Sequence, residues 1–395
     1  MDKSKKNNFS KIPPFAQNNY EINKKSSNYF NNRNYFTDNE ILDKNEIHSI
    51  YGEICKKCNK LIGEFKFRKY GKIICPGYPR IYRLSNYWNN IWLLGGNIED
   101  GKIYIRRSND EGISWDSPKQ ISFYPNHICS NVDFFELENH DIICSYRAIG
   151  NLSSDNPEIK YNRKICSSIS HDGGKTWENL GIIVDNFELA IKLGKTKKQA
   201  MEACIDEFKI GFFEPFVENI NGDITVFYAD DFTVMVNKSI SNKTEENYCA
   251  QNIYAQIFDI NEKKWSSERK IVMDGTIKRK PRESEIKKRI SRNGMPVINK
   301  MKDGQYVLVF EGTYRDRRYP LLTGAHLDEY HSFEILLSYS NDGIIWSNPI
   351  EIYIPHNNLS KASAPYVVST DNNQLFLFKL MKILCLMDFE VIVIQ

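Results

Sequence analysis

Two glutamates stand out by the company they keep. Glu214 sits in Phe212-Phe213-Glu214-Pro215-Phe216 and Glu311 in Val309-Phe310-Glu311-Gly312. A carboxylate among aromatic and aliphatic neighbours is costly to desolvate unless it has a partner or a task. Two such groups facing one pocket could cleave a glycosidic bond, one giving and taking a proton and the other acting as nucleophile or base. The plainer reading is a pair of structural ion pairs. Arg80, Asp133, Arg147, Asp230 and Asp231 occupy similar places, at the start of one apolar run or the end of the next. Of these, Arg80, Arg147, Asp133 and Asp231 are the candidates for holding a substrate. The two arginines could instead bridge neighbouring elements, since guanidinium groups pair readily with carboxylates.

Other clusters are weaker. Cys55-Lys56-Lys57-Cys58 has zinc-knuckle spacing, but a structural zinc site takes four ligands and no matching second pair exists. Nine cysteines, an odd number spread from Cys55 to Cys385, do not form the framework of a small secreted domain. His326-Leu327-Asp328-Glu329-Tyr330-His331 lacks the frame of a helical zinc site. The basic stretch from Lys278 to Arg292 reads as a solvated insertion. No metal and no cofactor is expected.

The elements that must position these residues are short strands. The chain has 395 residues, 41% hydrophobic and 13% aromatic, enough for a sizeable core. Its Lys+Arg count of 53 against an Asp+Glu count of 50 gives a net charge of +3. That balance excludes the concentrated basic footprint of a nucleic-acid binder. No apolar run of about 18 residues exists, so no membrane-spanning helix is expected. Met1 to Asn8 offers no apolar signal-peptide core. Residues 1–48, rich in Asn, Lys and Ser, read as an extension, and 49–395 as one repeat-built body.

The repeat is a strand, a turn and a second strand. It appears at 78–84 with 91–94, 131–135 with 142–146, 214–217 with 224–228, 295–298 with 306–310, and 364–368 with 375–378. Positions 132, 215, 296 and 365 of successive first strands are 83, 81 and 69 residues apart, which suits four-stranded units. Pro79, Pro215, Pro296 and Pro365 near the strand starts fit a first-residue position, where no ladder donor is needed. Between these hairpins, Ser108 to Trp115 and Ser170 to Trp177 fit S-x-D-x-G-x-[ST]-W. Ser340 to Trp346 is one residue shorter, and a worn copy ends at Trp265 with Asp259 kept and the Gly lost. Such a tip needs an acidic cap for turn amides, a Gly at positive φ and a Trp folding back on the hairpin. Residues 188–208 have helical texture.

These tips match the Asp-box, and the chain resembles the sialidase superfamily. The resemblance implies an all-β fold, a six-bladed β-propeller. Four blades and the opening hairpin of a fifth are recognisable, after which Leu380 to Gln395 reads as an apolar tail, so the ring is expected to be incomplete at its C-terminal end. Within that superfamily, Y-P-R at 78–80, F-E-P-F at 213–216, V-F-Y-A-D-D at 226–231, G-M-P-V at 294–297 and V-F-E-G at 309–312 resemble the exo-α-1,5-L-arabinanases. That resemblance implies a retaining, exo-acting glycoside hydrolase, extracellular and monomeric, with an oligo- or polysaccharide as its partner. It makes Glu214 and Glu311 the catalytic pair, with Glu214 as nucleophile and Glu311 as acid/base. Arg315, Arg317 and Arg318 follow Glu311 and would oppose that second role if they touched it, in which case the roles exchange. Two alternatives stay open. A sialidase would hold a substrate carboxylate with three arginines, of which only Arg80 and Arg147 are identifiable. A non-catalytic propeller would bind carbohydrate or protein without turnover.

Overall fold

The computed structural model describes residues 47–50, 65–68, 77–97, 100–205, 210–237, 250–276, 291–314, 333–353, 360–369, 375–383 and 386–394. A small antiparallel pair, β1 (Ile47–Ile50) and β2 (Phe65–Arg68), comes first. Blade one is β3 (Gly77–Arg83), β4 (Trp92–Asn97), β5 (Ile103–Ser108) and β6 (Lys119–Gln120). Blade two is β7 (His127–Glu136), β8 (Ile142–Gly150), β9 (Arg163–Ser170) and β10 (Glu178–Asp185). Blade three is β11 (Phe212–Ile220), β12 (Asp223–Asp230) and β13 (Asn252–Asp259), edged by β14 (Lys264–Trp265) and β15 (Lys270–Met273). Blade four is β16 (Ser291–Lys300), β17 (Tyr306–Tyr314), β18 (Phe333–Ser340) and β19 (Ile350–Tyr353). A final meander, β20 (Ser360–Ser369), β21 (Leu375–Ile383) and β22 (Leu386–Ile394), joins blade four through one parallel pair, Phe333 with Lys361. The first strands of consecutive blades touch in chain order, as they do around a propeller axis.

Blades two and three are antiparallel sheets with both faces buried, so their middle strands read as continuous apolar runs. In β12, Ile224, Val226 and Tyr228 pack with blade-two residues such as Ile143 and Ile165. Phe227 points the other way, into a cluster with Val297, Leu308 and Phe310 of blade four. That division follows from the two-residue period of a strand. A third cluster, Leu93, Ile105, Phe134, Ile142 and Tyr146 among others, joins blades one and two.

The hairpin tips have the chemistry their sequences call for. Ser114 donates from its backbone N (2.8 Å) and hydroxyl (2.6 Å) to the Asp110 carboxylate, and Trp115 Nε1 donates to Gly112 O at 3.1 Å. Asp172, Thr176, Trp177 and Gly174 repeat the arrangement, as do Asp342, Ile345, Trp346 and Gly343. Gly112, Gly174 and Gly343 have φ of 86°, 82° and 69°. At the worn copy, where no Gly is present, Lys263 takes the left-handed conformation at φ 49°.

Two expectations need correction, and a third is refined. The prolines are not at strand starts. Strands β3, β11, β16 and β20 begin earlier, and each proline lies in a register shift, between Gly77 and Arg80, Phe213 and Phe216, Gly294 and Val297, and Ser363 and Tyr366. A β-bulge removes the ladder bond inside the strand, and there a missing N–H costs nothing. The apolar tail is not a tail: Leu386–Ile394 pairs along β21, from Ile383 with Leu386 to Leu375 with Ile394. The helical texture of 188–208 is two helices, α1 (Asn186–Lys192) and α2 (Lys197–Ile205). Gly194 at φ 72° lies between them, and Asp185 caps the first by accepting from Phe187 N and Glu188 N. Phe187, Leu189, Ala190, Ala200 and Cys204 pack them against the core of blades two and three.

Candidate active site

The bulges set the site. Each first strand of blades one to four bends at the same place, and the first bulge residue is left-handed: Tyr78 (φ 49°), Asn131 (φ 55°), Glu214 (φ 53°) and Met295 (φ 48°). None is glycine, so Tyr78, Glu214 and Met295 each carry backbone strain of about 1–2 kcal/mol, and Asn131 less. Four such residues at equivalent positions around one axis mark a site whose side-chain directions matter more than local backbone comfort.

Glu214 and Glu311 meet at Gly294. Gly294 pairs with Glu311 across β16 and β17. A methyl group on Gly294 would lie 2.9 Å from Glu311 Oε1 and 3.4 Å from Glu214 Oε2. Those two oxygens are therefore no more than about 6 Å apart, because neither can be farther from the other than their distances to that point combined. Residues 97 positions apart in the chain thus share one patch of strand (214 to 311).

Glu214 sits in positive potential. Met295 N, from the bulge of the next blade, donates to its Oε2 at 2.7 Å. Arg147 is stacked on Phe213, its guanidinium carbon 4.0 Å from the ring centroid. Burial pushes the Arg147 guanidinium down to about 10, and the nearby Glu214 pulls in the opposite direction, as do Asp231 and Tyr78. It stays cationic at neutral pH. Its Nε is buried with no hydrogen-bond partner among the described residues.

The other candidates all have partners. Arg80 Nε pairs with Asp133 Oδ1 at 2.8 Å, and its guanidinium lies over Phe216 and Tyr366, at 5.5 and 4.9 Å from the centroids. Arg80 thus makes the interblade bridge, touching blades one, two, three and the final meander. Asp133 Oδ2 also accepts from Val217 N at 2.9 Å. Burial raises the Asp133 carboxyl above the ordinary range, and Arg80 opposes that shift. Asp231 accepts from Gly211 N at 2.7 Å and from Arg292 at 3.0 Å. Asp230 turns the opposite way, onto Thr233 and Arg269, and the Arg269 guanidinium packs on the ring of Tyr254 at 3.9 Å.

The carboxylates follow a pattern. Asp133 of blade two accepts the β11 amide of Val217, and Glu214 of blade three accepts the β16 amide of Met295. Each thereby satisfies a main-chain donor of the following blade's first strand. Sequence reasoning missed Tyr78, Asn131 and Met295, which hold the bulge position. The signal was present in Tyr78-Pro79, Glu214-Pro215 and Met295-Pro296, where the residue before each proline is the bent one.

Cys55, Cys58, His326, His331, Arg315, Arg317 and Arg318 lie outside the described residues, as does most of the 278–292 stretch. Among the described residues no group of His, Cys, Asp and Glu could hold a metal ion, and no helix is long and apolar enough to cross a membrane. A separate concavity of about 350 Å³ is lined by Tyr82, Ser85, Glu136 and His140. The Glu136 carboxylate there is taken up by Ser85 N at 2.6 Å and His140 Nδ1 at 2.9 Å.

No family model matches the chain, and no curated protein matches it in sequence. Solved structures resemble it. The Penicillium chrysogenum alpha-L-arabinanase complexed with arabinobiose matches with a TM-score of 0.50 and 17% identity, over 77% of this chain and 77% of that one. The GH93 alpha-L-arabinofuranosidase of Fusarium graminearum with arabinobiose matches with a TM-score of 0.50 and 16% identity, over 80% of this chain and 79% of that one. At these identities the likeness is one of fold.

Proposed function

We propose that this chain is a retaining, exo-acting glycoside hydrolase acting on α-1,5-linked L-arabinan or a related plant polysaccharide. The observation that carries the reading is that Glu311 Oε1 and Glu214 Oε2 both come to Gly294, within about 6 Å of each other. Retaining enzymes hold their carboxyl groups about 5–5.5 Å apart, whereas inverting enzymes leave about 6.5–9.5 Å for a water. The two solved structures named above, both holding arabinobiose, support the substrate class. In this reading the four blades and the final meander are five of the six blades of a sialidase-type propeller, with Asp-box tips on its rim. The chain works outside the cell as a monomer, and residues 49–395 form its catalytic domain.

Glu214 is the nucleophile. The Met295 amide and the Arg147 guanidinium stabilise negative charge on its carboxylate, which attacks the anomeric carbon as the glycosidic oxygen leaves. Glu311 protonates that oxygen, then takes a proton from the water that cleaves the glycosyl-enzyme ester. Arg147 and Asp231 line the substrate side, while Arg80 and Asp133 hold the wall. The pairing of Arg80 with Asp133 favours a neutral glycan over a sialic acid, whose carboxylate would compete for that cation.

A second reading has its own support. Asp133 satisfies the next blade's main chain in the way Glu214 does, so Glu214 could be a structural latch in a non-catalytic, glycan-binding propeller. One assay separates the two. Reducing-sugar release from linear arabinan, with a sialyl substrate in parallel, is measured for wild type, Glu214→Gln and Glu311→Gln, each shown to be folded. Near-complete loss of arabinan turnover in both variants is expected. Binding without release by wild type, or unchanged turnover in both variants, would remove the enzyme.

A further inference from the structure

Tyr78 is the blade-one counterpart of Glu214. Both are the first residue of a bulge on a first strand, both precede a proline, and both have φ near 50° (49° and 53°). The bend that aims a carboxylate in blade three aims an aromatic ring in blade one. Left-handed backbone is poorly tolerated by bulky side chains, and Gly or Asn would serve such a bend with less strain. Strain at a buried aromatic can be offset by packing, but Tyr78 is 61% exposed and recovers little in this way. Its location is also specific. Both the Tyr78 phenol and Glu214 are close enough to Arg147 to favour its charged form. A strained, exposed aromatic at the blade position that carries Glu214 in blade three is of the kind that ligand pockets use to orient an apolar ring face.

We propose that Tyr78 is a substrate-contacting residue, its ring packing against the C–H face of the sugar next to the cleaved bond. This rests on the glycosidase reading given above. The test compares wild type with Tyr78→Phe, Tyr78→Ala and Tyr78→Gly, measuring kcat and KM on linear α-1,5-arabino-oligosaccharides and thermal unfolding of each. Loss of one aromatic contact predicts a KM raised about ten-fold in the Ala and Gly variants. Tyr78→Phe keeps the ring and is expected to restore the wild-type KM. Tyr78→Gly relieves the backbone and is expected to melt at or above the wild-type temperature. A residue with a purely structural role would show the reverse, a lower melting temperature with KM unchanged. Turnover by wild type with unaltered KM in the Ala and Gly variants would overturn this inference alone, as would a Phe variant as impaired as Ala. Absence of turnover by wild type would overturn both the inference and the reading beneath it.

Discussion

Gly294→Ala probes the space between the two carboxylates with the smallest side chain available. Gly294 lies outside the left-handed region, so alanine can adopt its backbone and only the space decides the outcome. The new methyl would stand 2.9 Å from Glu311 Oε1, 3.1 Å from Glu311 Cγ and 3.4 Å from Glu214 Oε2. The first two contacts are too close, so the Glu311 side chain must retreat by about half an ångström, the tolerance within which catalytic groups must be held. A misplacement of that order costs up to about 100-fold in rate. Stability should change little by comparison. Overpacking costs about 1–3 kcal/mol, and replacing glycine by alanine returns about 0.4–1 kcal/mol by restricting the unfolded chain. Steady-state kinetics on arabino-oligosaccharides and a urea titration, run on the same preparation, read the two effects separately. A fall of at least about ten-fold in kcat, with unfolding shifted by no more than about 2 kcal/mol, is expected. Wild-type turnover would refute the reasoning, because the methyl cannot occupy that point without moving Glu311.

Two further perturbations concern the carboxylates of Asp133 and Glu218. Asp133→Ala leaves Arg80 without its partner and Val217 N without its acceptor. It should destabilise the fold by about 3 kcal/mol in urea unfolding, and Asp133→Asn by less; a change under about 0.5 kcal/mol would show that the pair holds nothing. Glu218 has its carboxyl pushed from 4.5 up to about 7, chiefly by burial and further by Asp133, against the pull of the Asn219 amide and Lys300. Between those two values the folded state holds a proton that the unfolded state has lost, so stability falls as pH rises from about 4.5 to 7 and is flat above. The drop is about 3 kcal/mol. Glu218→Gln should remove that slope and melt higher than wild type at pH 8, and an identical pH profile for both proteins would contradict the assignment.

What was legible in the sequence was local. The hairpin tips repeat within eight residues, and the hydrogen bonds of their Asp carboxylates involve neighbours only, so Asp110, Asp172 and Asp342 could be read directly. Short apolar runs bounded by turn residues placed the core strands for the same reason. The bulges were not legible, because left-handed backbone at Tyr78, Glu214 or Met295 runs against the preference of those residues and is imposed by the ring around them. A proline at a strand start and a proline in a bulge look alike in sequence, since both positions lack a ladder donor. The meeting of Glu214 and Glu311 followed from blade phase. The partners of Arg80, Asp133, Asp230 and Asp231 did not, because adjacent strand residues point to opposite faces and partners 39 to 61 positions away are chosen by the whole fold (Arg80 to Asp133, Asp230 to Arg269, Asp231 to Arg292).

The spacing of the two carboxylates makes one stereochemical commitment. Proton NMR of the first sugar released from an α-linked arabino-oligosaccharide, recorded before the product mutarotates, reads it directly. Glu214 and Glu311 within about 6 Å of one another predict release of the α-anomer through a covalent intermediate. Initial release of the β-anomer would mean a water attacks in place of Glu214, and the pairing at Gly294 would then not be that of the reacting enzyme.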